Sequence, residues 1–452
     1  MKKMMKLLAW LSCAVAFAAP ARAQEKSAEV RPPKLDIRTQ TLGNGLHVVL
    51  HEDHAMPVIN LQVWYHVGSK DERPGRTGFA HLFEHLMFKG SAHLAPQEHT
   101  RQIEAVGGTF NAYTNDDVTV YWETFPSNYL ERVLWMEADR MGSLNVNEAN
   151  FKSEREVVKE ERRVSVDNRP YGLIQEDLYA VAFTVHGYHH TTIGSMDDLN
   201  KATVEDVKEF FNTYYKPNNA TLVIVGDFNS ADALAWARKY FDGIPKSAGP
   251  IPRLTAQEPP QTEKRVVEKS YSNTPLPAVV EGFKMPAKFA PDSYPLDLAA
   301  NILARGESSR LYQQLVYKDR IAVAAAGFGL FTEDPNLFWA FAVMNQGHTV
   351  DEGYKELNTV LDQLKTQPVD SKELEKARNQ TISGAILGRQ TDQEKADEIG
   401  EDAVLGKDPN LVNTELERYL KVTAADLQRV AQQYFVPEHA TVLFITPPKS
   451  GK

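Results

Sequence analysis

The feature that most constrains what this chain can fold into is that part of it occurs twice. The run "TVEDVKEFFNTYYKPNNATLVIVGDF" from Thr203 returns as "TAADLQRVAQQYFVPEHATVLFITP" from Thr423. Asp206 with Asp426, Tyr214 with Tyr434, Pro217 with Pro437, and Ala220-Thr221 with Ala440-Thr441 all stand at one offset of 220. Each copy predicts an amphipathic helix opened by a threonine cap, then a proline turn and a β-branched strand. Pro57 and Pro277, each leading into a strand-like run, keep the same offset. A long repeat in two copies specifies two homologous domains and not a solenoid. Strands and helices mix in each half without regular β-α-β alternation. The expected class is therefore α+β, each domain a largely antiparallel sheet with helices packed on it.

The segment "AGPIPRLTAQEPPQT", residues 248–262, is rich in proline and polar residues and has neither helical nor strand period, which marks a linker. It divides an N-terminal domain, 24–247, from a C-terminal domain, 263–452. Residues 1–23 differ from both: Lys2, Lys3 and Lys6 precede the apolar run "LLAWLSCAVAFAA", and "ARA" ends at Ala23. That is the pattern of a cleaved signal peptide, with an apolar run too short to span a bilayer. Export to a bacterial periplasm is expected; Trp10 and Leu11 make a poor acylation signal for Cys13. No later segment reaches membrane length. Cys13 is the only cysteine. After cleavage the chain holds no disulfide, thiolate nucleophile or cysteine metal ligand, and catalysis rests on His, Asp, Glu, Ser or Lys. The formal charge is −10, and loss of the four signal-peptide cations takes the mature form to about −14. Such a balance argues against nucleic acid or anionic membrane as the main partner.

In "HLFEHLMFKG", His81 to Gly90, a helical wheel sets Phe79, Leu82, Phe83 and Leu86 on one side and His81, Glu84 and His85 on the other. Thr77 is the expected cap and Gly90 the stop. Two imidazoles one turn apart can grip one ion, with Glu84 beside it where a metal-bound water would lie. Alone, the triplet is also what a polar stripe on a buried helix looks like. Catalytic zinc asks for a third protein ligand, and "NFKSEREVVKEERRVSVD" has a candidate. Glu154 and Glu161 fall close together on the wheel, on the face holding Val157 and Val158, while Glu156 and Glu160 point elsewhere and read as a solvated face. Two carboxylates on an inward apolar face need a partner to offset desolvation, and a divalent cation on Glu161 is one. With His81, His85 and Glu161 as ligands, one zinc ion per chain activates a water, and Glu84 moves its proton to the leaving amine. Glu154 orients His85 or the ligand helix from behind. The expected chemistry is peptide hydrolysis without a covalent intermediate.

The inverted motif, its distal glutamate and the duplicated halves together resemble the pitrilysin or insulinase-type zinc peptidases, the inverzincins. Two-domain chains of this length are most similar to the branch containing the mitochondrial processing peptidase and its bacterial periplasmic relatives. The resemblance covers essentially the whole mature chain. It implies zinc ligands at His81, His85 and Glu161, a base at Glu84 and a supporting glutamate at Glu154. It also makes "GGTFNAYTNDDVTVYWETFP", from Gly107, similar to the family's edge strand, which binds an extended peptide by β-augmentation, with Asn111, Ala112 and Tyr113 as substrate contacts. Its alternating residues independently read as a strand. Without the resemblance Asn111 is a turn residue and Tyr113 half-buried packing. The histidines of "HGYHHTTIG", 186–194, lack helical ligand spacing and read as structural.

The second half departs from the active pattern. At the 220 offset the metal helix becomes "NILAR", with Asn301, Ala304 and Arg305 in place of the ligands and base, as in the family's inert second copy. Active relatives usually carry an arginine and, seven residues later, a tyrosine that hold the substrate carbonyl. By register in "LVYKDRIAVAA" those positions are Val316 and Val323, which cannot donate to an oxyanion. "ARGESSRLY", 304–312, has one glycine where relatives often have a Gly-rich loop. The resemblance thus implies a periplasmic zinc endopeptidase subunit for unfolded peptides, its two αββα-type domains closing around a chamber. A homologous partner subunit would supply the arginine and tyrosine, in a heterodimer or alternatively a homodimer. The rival reading is a non-catalytic binding or assembly subunit. A third, a zinc hydrolase of small amides, would need a closed pocket in place of an edge strand.

Overall fold

The repeat becomes two sheets of matching strand order. The structure, a computed structural model, describes residues 31–448, so the expected signal peptide lies outside the described residues. In the first half β1 (Arg38–Thr41), β2 (His47–Glu52), β3 (Val58–Tyr65), β4 (Thr109–Thr114), β5 (Thr119–Pro126) and β6 (Ala220–Gly226) form a sheet in the order β1-β2-β6-β3-β5-β4. In the second, β7 (Arg265–Ser270), β8 (Ala278–Lys284), β9 (Ala322–Gly329), β10 (Leu337–Met344) and β11 (Thr441–Thr446) follow the order β7-β11-β8-β10-β9. Among the described residues only β2 with β6 and β7 with β11 run parallel, so both sheets are largely antiparallel, as expected.

Among the described residues the first half holds eight α-helices: α1 (Phe79–Leu86), α2 (Glu98–Ala105), α3 (Leu130–Ser143), α4 (Glu148–Arg162), α5 (Ile174–Ala182), α6 (Met196–Lys201), α7 (Val204–Tyr214) and α8 (Ser230–Phe241). The second half holds six among them: α9 (Ser293–Ala304), α10 (Val350–Thr366), α11 (Ser371–Leu387), α12 (Asp392–Val404), α13 (Leu416–Lys421) and α14 (Ala424–Tyr434). The duplicated segments fold alike. Thr203 with Asp206, and Thr423 with Asp426, form reciprocal capping boxes that start α7 and α14. Pro217 and Pro437 then open short turns into β6 and β11. None of the helices among the described residues is long and apolar enough to cross a membrane.

One face of each sheet is covered by helices of its own half, with Phe83, Leu134, Phe151 and Val207 in the first core and Leu298, Leu303, Leu357 and Leu427 in the second. The other faces are covered by exchange. Helix α12 lays Ala396, Ile399 and Ala403 on Trp64, Val120, Val223 and Val225 of the first sheet. Gly400 is needed at that contact, because a Cβ there would lie 2.2 Å from the Trp64 indole. Helix α5 in turn lays Leu178, Tyr179 and Ala182 on Val280, Trp339 and Leu443 of the second sheet. The halves are therefore interlocked by two equivalent helices.

An ion network centred on the buried Lys70 and Asp117 fixes the same junction. The β4–β5 turn brings Asp117, and the β9–β10 turn brings Glu333 and Asp334, to the Lys70 Nζ at 2.8, 2.7 and 2.9 Å. The Tyr188 hydroxyl donates to Asp117 at 2.6 Å. Against the effect of burial, His66 and Lys70 hold the Glu333 carboxyl down at about 2. Residues 248–262 carry no helix or strand and are held at Arg253 and Glu258. Glu258 accepts the N–H groups of Thr184, Val185 and His186 at 2.8 to 3.1 Å, and Arg253 binds the His66 carbonyl and Asn219.

Candidate metal centre

Helix α1 exists because its apolar face has a deep seat. Phe79, Leu82, Phe83 and Leu86 are buried, and the Phe83 ring lies 4.2 Å from Tyr215 and 5.6 Å from Phe211. The cap is not Thr77, whose hydroxyl donates instead to Asp198 and accepts from the Ser195 N–H. The buried carboxylate of Glu72 takes that place, accepting the N–H groups of Gly78 and Ala80 at 2.8 and 2.7 Å. Satisfying orphan donors at a helix start does not require a sequence neighbour. Gly78 is left-handed, φ +88°, and packs against Gly194 so closely that a Cβ on Gly194 would meet Gly78 atoms at 2.3 Å. The loop 186–194 thus seats the helix. Its His186 accepts the Tyr188 N–H at Nδ1, and its largely buried His190 lies beside Glu72. The helix ends at Leu86, four residues before the expected stop at Gly90.

The opposite face of α1 presents His81 and His85 with ring centroids 4.9 Å apart at 86°. The α4 carboxylate of Glu161 bridges them, Oε1 at 3.6 Å from His81 Nε2 and Oε2 at 3.4 Å from His85 Nε2. Candidate ligand atoms of all three residues lie within 4.8 Å of one another. Ligand atoms on a zinc tetrahedron with bonds of about 2.0–2.1 Å are roughly 3.3–3.4 Å apart. The observed spacing fits that ion, and a divalent cation is what two imidazoles around one carboxylate suit chemically. Burial, with the His85 charge beside it, pushes His81 down to about 4. Burial also disfavours charge on His85, but the Glu154 and Glu161 carboxylates outweigh it and raise His85 to about 9.

Behind the ligands, Glu154 Oε2 stands 3.6 Å from His85 Nδ1, and Lys89 Nζ holds Glu154 Oε1 at 2.8 Å. Val158 is buried with Glu154, but Val157 is 46% exposed, so the inward face is narrower than the wheel suggested. One turn pair along, Glu161 emerges where the helix meets the cleft, its side chain 44% exposed against 5% for Glu154. Glu154→Gln is expected to weaken zinc binding by about 10–100-fold, the usual cost of losing a ligand-orienting partner. Metal titration of the folded variant checks this, and parental affinity would remove Glu154 from that role.

Glu84 faces the same cleft and accepts the Thr114 hydroxyl at 2.7 Å. Thr114 belongs to β4, the outermost strand, which pairs only with β5 and leaves one edge free among the described residues. Strand alternation turns Ala112 and Thr114 toward α1 and Asn111 and Tyr113 away. Asn111 is an exposed strand residue, not a turn residue. The Tyr113 ring packs edge-on against Trp64 at 6.2 Å on the far face, so its backbone, not its side chain, is what borders the cleft edge. The cleft, of about 350 Å3, is lined by His81, Glu84, Thr114, Glu161 and the 165–176 segment, with all its lining from the N-terminal half. Val316 lies partly buried against the second core and Val323 is exposed on β9, and neither lines it. Thr114, Lys89 and Glu72 escaped sequence reasoning. Lys89 follows His85 by four residues and was findable as the same helical stripe; Glu72 carries no local signal.

A second group, His99, Glu123 and Glu137, also brings ligand atoms within 4.8 Å, all buried. Here the Arg140 Nη2 already sits 2.9 Å from Glu123 and 2.5 Å from Glu137. A cation would face a guanidinium, so the group is an ion network and not a metal site.

Compared with known proteins, residues 47–195 match the family described as Insulinase (Peptidase family M16), and residues 201–381 match the Peptidase M16 inactive domain. The chain is 33% identical over 409 residues to the zinc protease PqqE of Helicobacter pylori, covering 90% of this chain and 92% of that one. It is 24% identical over 409 residues to the mitochondrial-processing peptidase subunit beta of Lentinula edodes, covering 87% and 86%. A crystal structure of a protease from Helicobacter pylori has TM-score 0.87 at 33% identity, over 91% of this chain and 100% of that one. The first half of the periplasmic protease PqqL from Escherichia coli, at 17% identity, shares the fold with TM-score 0.75 over 92% of both chains.

Proposed function

The chain belongs to the insulinase family of peptidases, M16, and from that premise we propose that it is a zinc-dependent endopeptidase subunit that cuts extended, unfolded peptides in the periplasm. The observation that carries the proposal is the convergence of His81, His85 and Glu161 within 4.8 Å, with Glu84 beside them under a free strand edge. One zinc ion held by those three residues would polarise the scissile carbonyl and acidify the attacking water. Glu84 takes the proton from that water and delivers it to the leaving amine, its carboxylate kept in place by Thr114. Glu154 fixes the His85 ring, and Lys89 fixes Glu154. The peptide backbone pairs with β4 along Asn111, Ala112 and Tyr113, placing its carbonyls over the ligand set by β-augmentation.

The cleft lining holds no arginine or tyrosine side chain from the second half, and Val316 and Val323 are apolar. That supports a homologous partner chain as the source of the oxyanion donors. It also favours the second reading, a binding or assembly subunit without turnover. The deciding assay uses unfolded peptides with the purified chain alone and with its co-purified homologue. Cleavage is expected with the partner, abolished by chelator and restored by zinc. A chelator-insensitive activity, or none in either preparation, would overturn the proposal.

A further inference from the structure

The cleft does not end at the ligands. Ser165, Val166, Gly172 and Gln175 wall both the cleft and a second groove of about 630 Å3, so the two are continuous. The far wall of this groove is the part of the second sheet beyond α5, including Val280, Phe341 and Val343, with Phe328 at its rim. Phe328 is 43% exposed and stacks on Trp339 at 5.6 Å and 17°. The repeat alone does not dictate such a lining. The equivalent groove, where α12 lies on the first sheet, carries Glu394, Asp397, Glu398 and Glu401 beside Trp64 and Tyr113. The groove that shares four wall residues with the metal cleft is the apolar one, and an apolar concavity opening from a cleft of polar groups is how binding sites are built.

We propose that this groove is a specificity subsite for a large apolar side chain, aromatic or branched, of the same extended peptide whose backbone lies along β4. The inference rests on the peptidase reading. Ser165 lies one turn beyond Glu161, and its hydroxyl donates to the Glu161 carbonyl at 2.7 Å. One turn is about 5.4 Å, and an extended peptide rises about 3.3 Å per residue. The side chain that enters the groove therefore belongs to a residue about two positions from the bond cut. The groove's continuity with the metal cleft, through four shared wall residues, favours a side chain of the peptide over a second copy of the chain.

The test uses the full mature chain as zinc-loaded Glu84→Gln, and a polar host peptide of Ser, Gly and Gln in which one Phe is moved through each position. Phe at one or two positions is expected to tighten binding by about tenfold or more. Phe328→Ser, at an exposed position that the fold does not need, and Phe341→Ser should each bring the ratio of Phe to host affinity toward one. No positional preference, or a preference that both variants keep, overturns the subsite. So does a change of oligomeric state in sedimentation with the preference intact, which makes the groove an interface between copies. If the preference is present but the parent with zinc and partner cleaves no peptide, the groove stands and the hydrolytic reading fails.

Discussion

Glu84→Gln is expected to lower peptide hydrolysis by about 10²–10⁴-fold while zinc content stays at the parental level. The substitution keeps the shape of the side chain and a hydrogen-bonding atom for the Thr114 hydroxyl, 2.7 Å away in the parent. What it removes is the ability to take and return a proton. Burial raises the Glu84 carboxyl above the usual carboxylate range, opposed by the Thr114 hydrogen bond, which moves a weak base toward the strength useful near neutral pH. Glu161→Gln is the contrasting change: it removes the charged ligand between the two imidazoles, and activity should fall together with bound zinc. Parallel measurement of turnover and metal content separates the two. Turnover of Glu84→Gln at the parental rate would take Glu84 out of the mechanism, and loss of its zinc would make it a ligand.

The site was legible where helical geometry alone decides the neighbours. His81, Glu84 and His85 share a face because of their spacing, and Glu154 and Glu161 share one for the same reason. The capping boxes at Thr203 and Thr423 were equally local. What could not be read depends on contacts between distant segments. Glu72 caps α1 because the chain folds back between Ser69 and Gly78, leaving Thr77 to bind Asp198, 121 residues away. Val157 shares the helix with Val158, but α4 meets its neighbours along a stripe one residue narrower than the wheel. The exchange of α5 and α12 has no periodic signature, since a helix lying on the partner half's sheet has the same amphipathic pattern as one lying on its own. Tyr113 illustrates the limit most directly. Alternation gives which residues share a face of β4, whereas only the position of Trp64 and α12 tells which face is turned away from α1.

Arg140→Met is expected to destabilise the fold by about 3–5 kcal/mol, because it leaves two buried carboxylates without the guanidinium between them. Arg140 is 2% exposed and holds Glu123 and Glu137, each 1% exposed, at 2.9 and 2.5 Å. Its guanidinium also lies over Tyr121 at 4.8 Å and Phe88 at 5.5 Å, and His99 completes the group at 3.2 Å from Glu123 and 3.3 Å from Glu137. Burial pushes the Glu123 carboxyl up, while against burial Arg140 and His99 hold that of Glu137 below the usual range. Without Arg140 only His99 is left to offset the desolvation and mutual repulsion of the two carboxyls, so their folded-state values rise above the unfolded ones. The folded variant then binds more protons than the unfolded chain, and its stability must fall as pH rises from the ordinary carboxylate value through the raised folded one. Urea unfolding at pH 5 and pH 8 should accordingly show the larger deficit at pH 8, and Glu123→Gln added to Arg140→Met should recover part of it. A deficit that grows toward acid would mean the carboxylates are not the cause. The consequence reaches the site, because Glu123 pairs across from Phe110 of β4 and Phe88 follows the metal helix. The network therefore ties the strand that presents Thr114 to the segment that leads out of His85, and zinc affinity should decline with stability in the same variant.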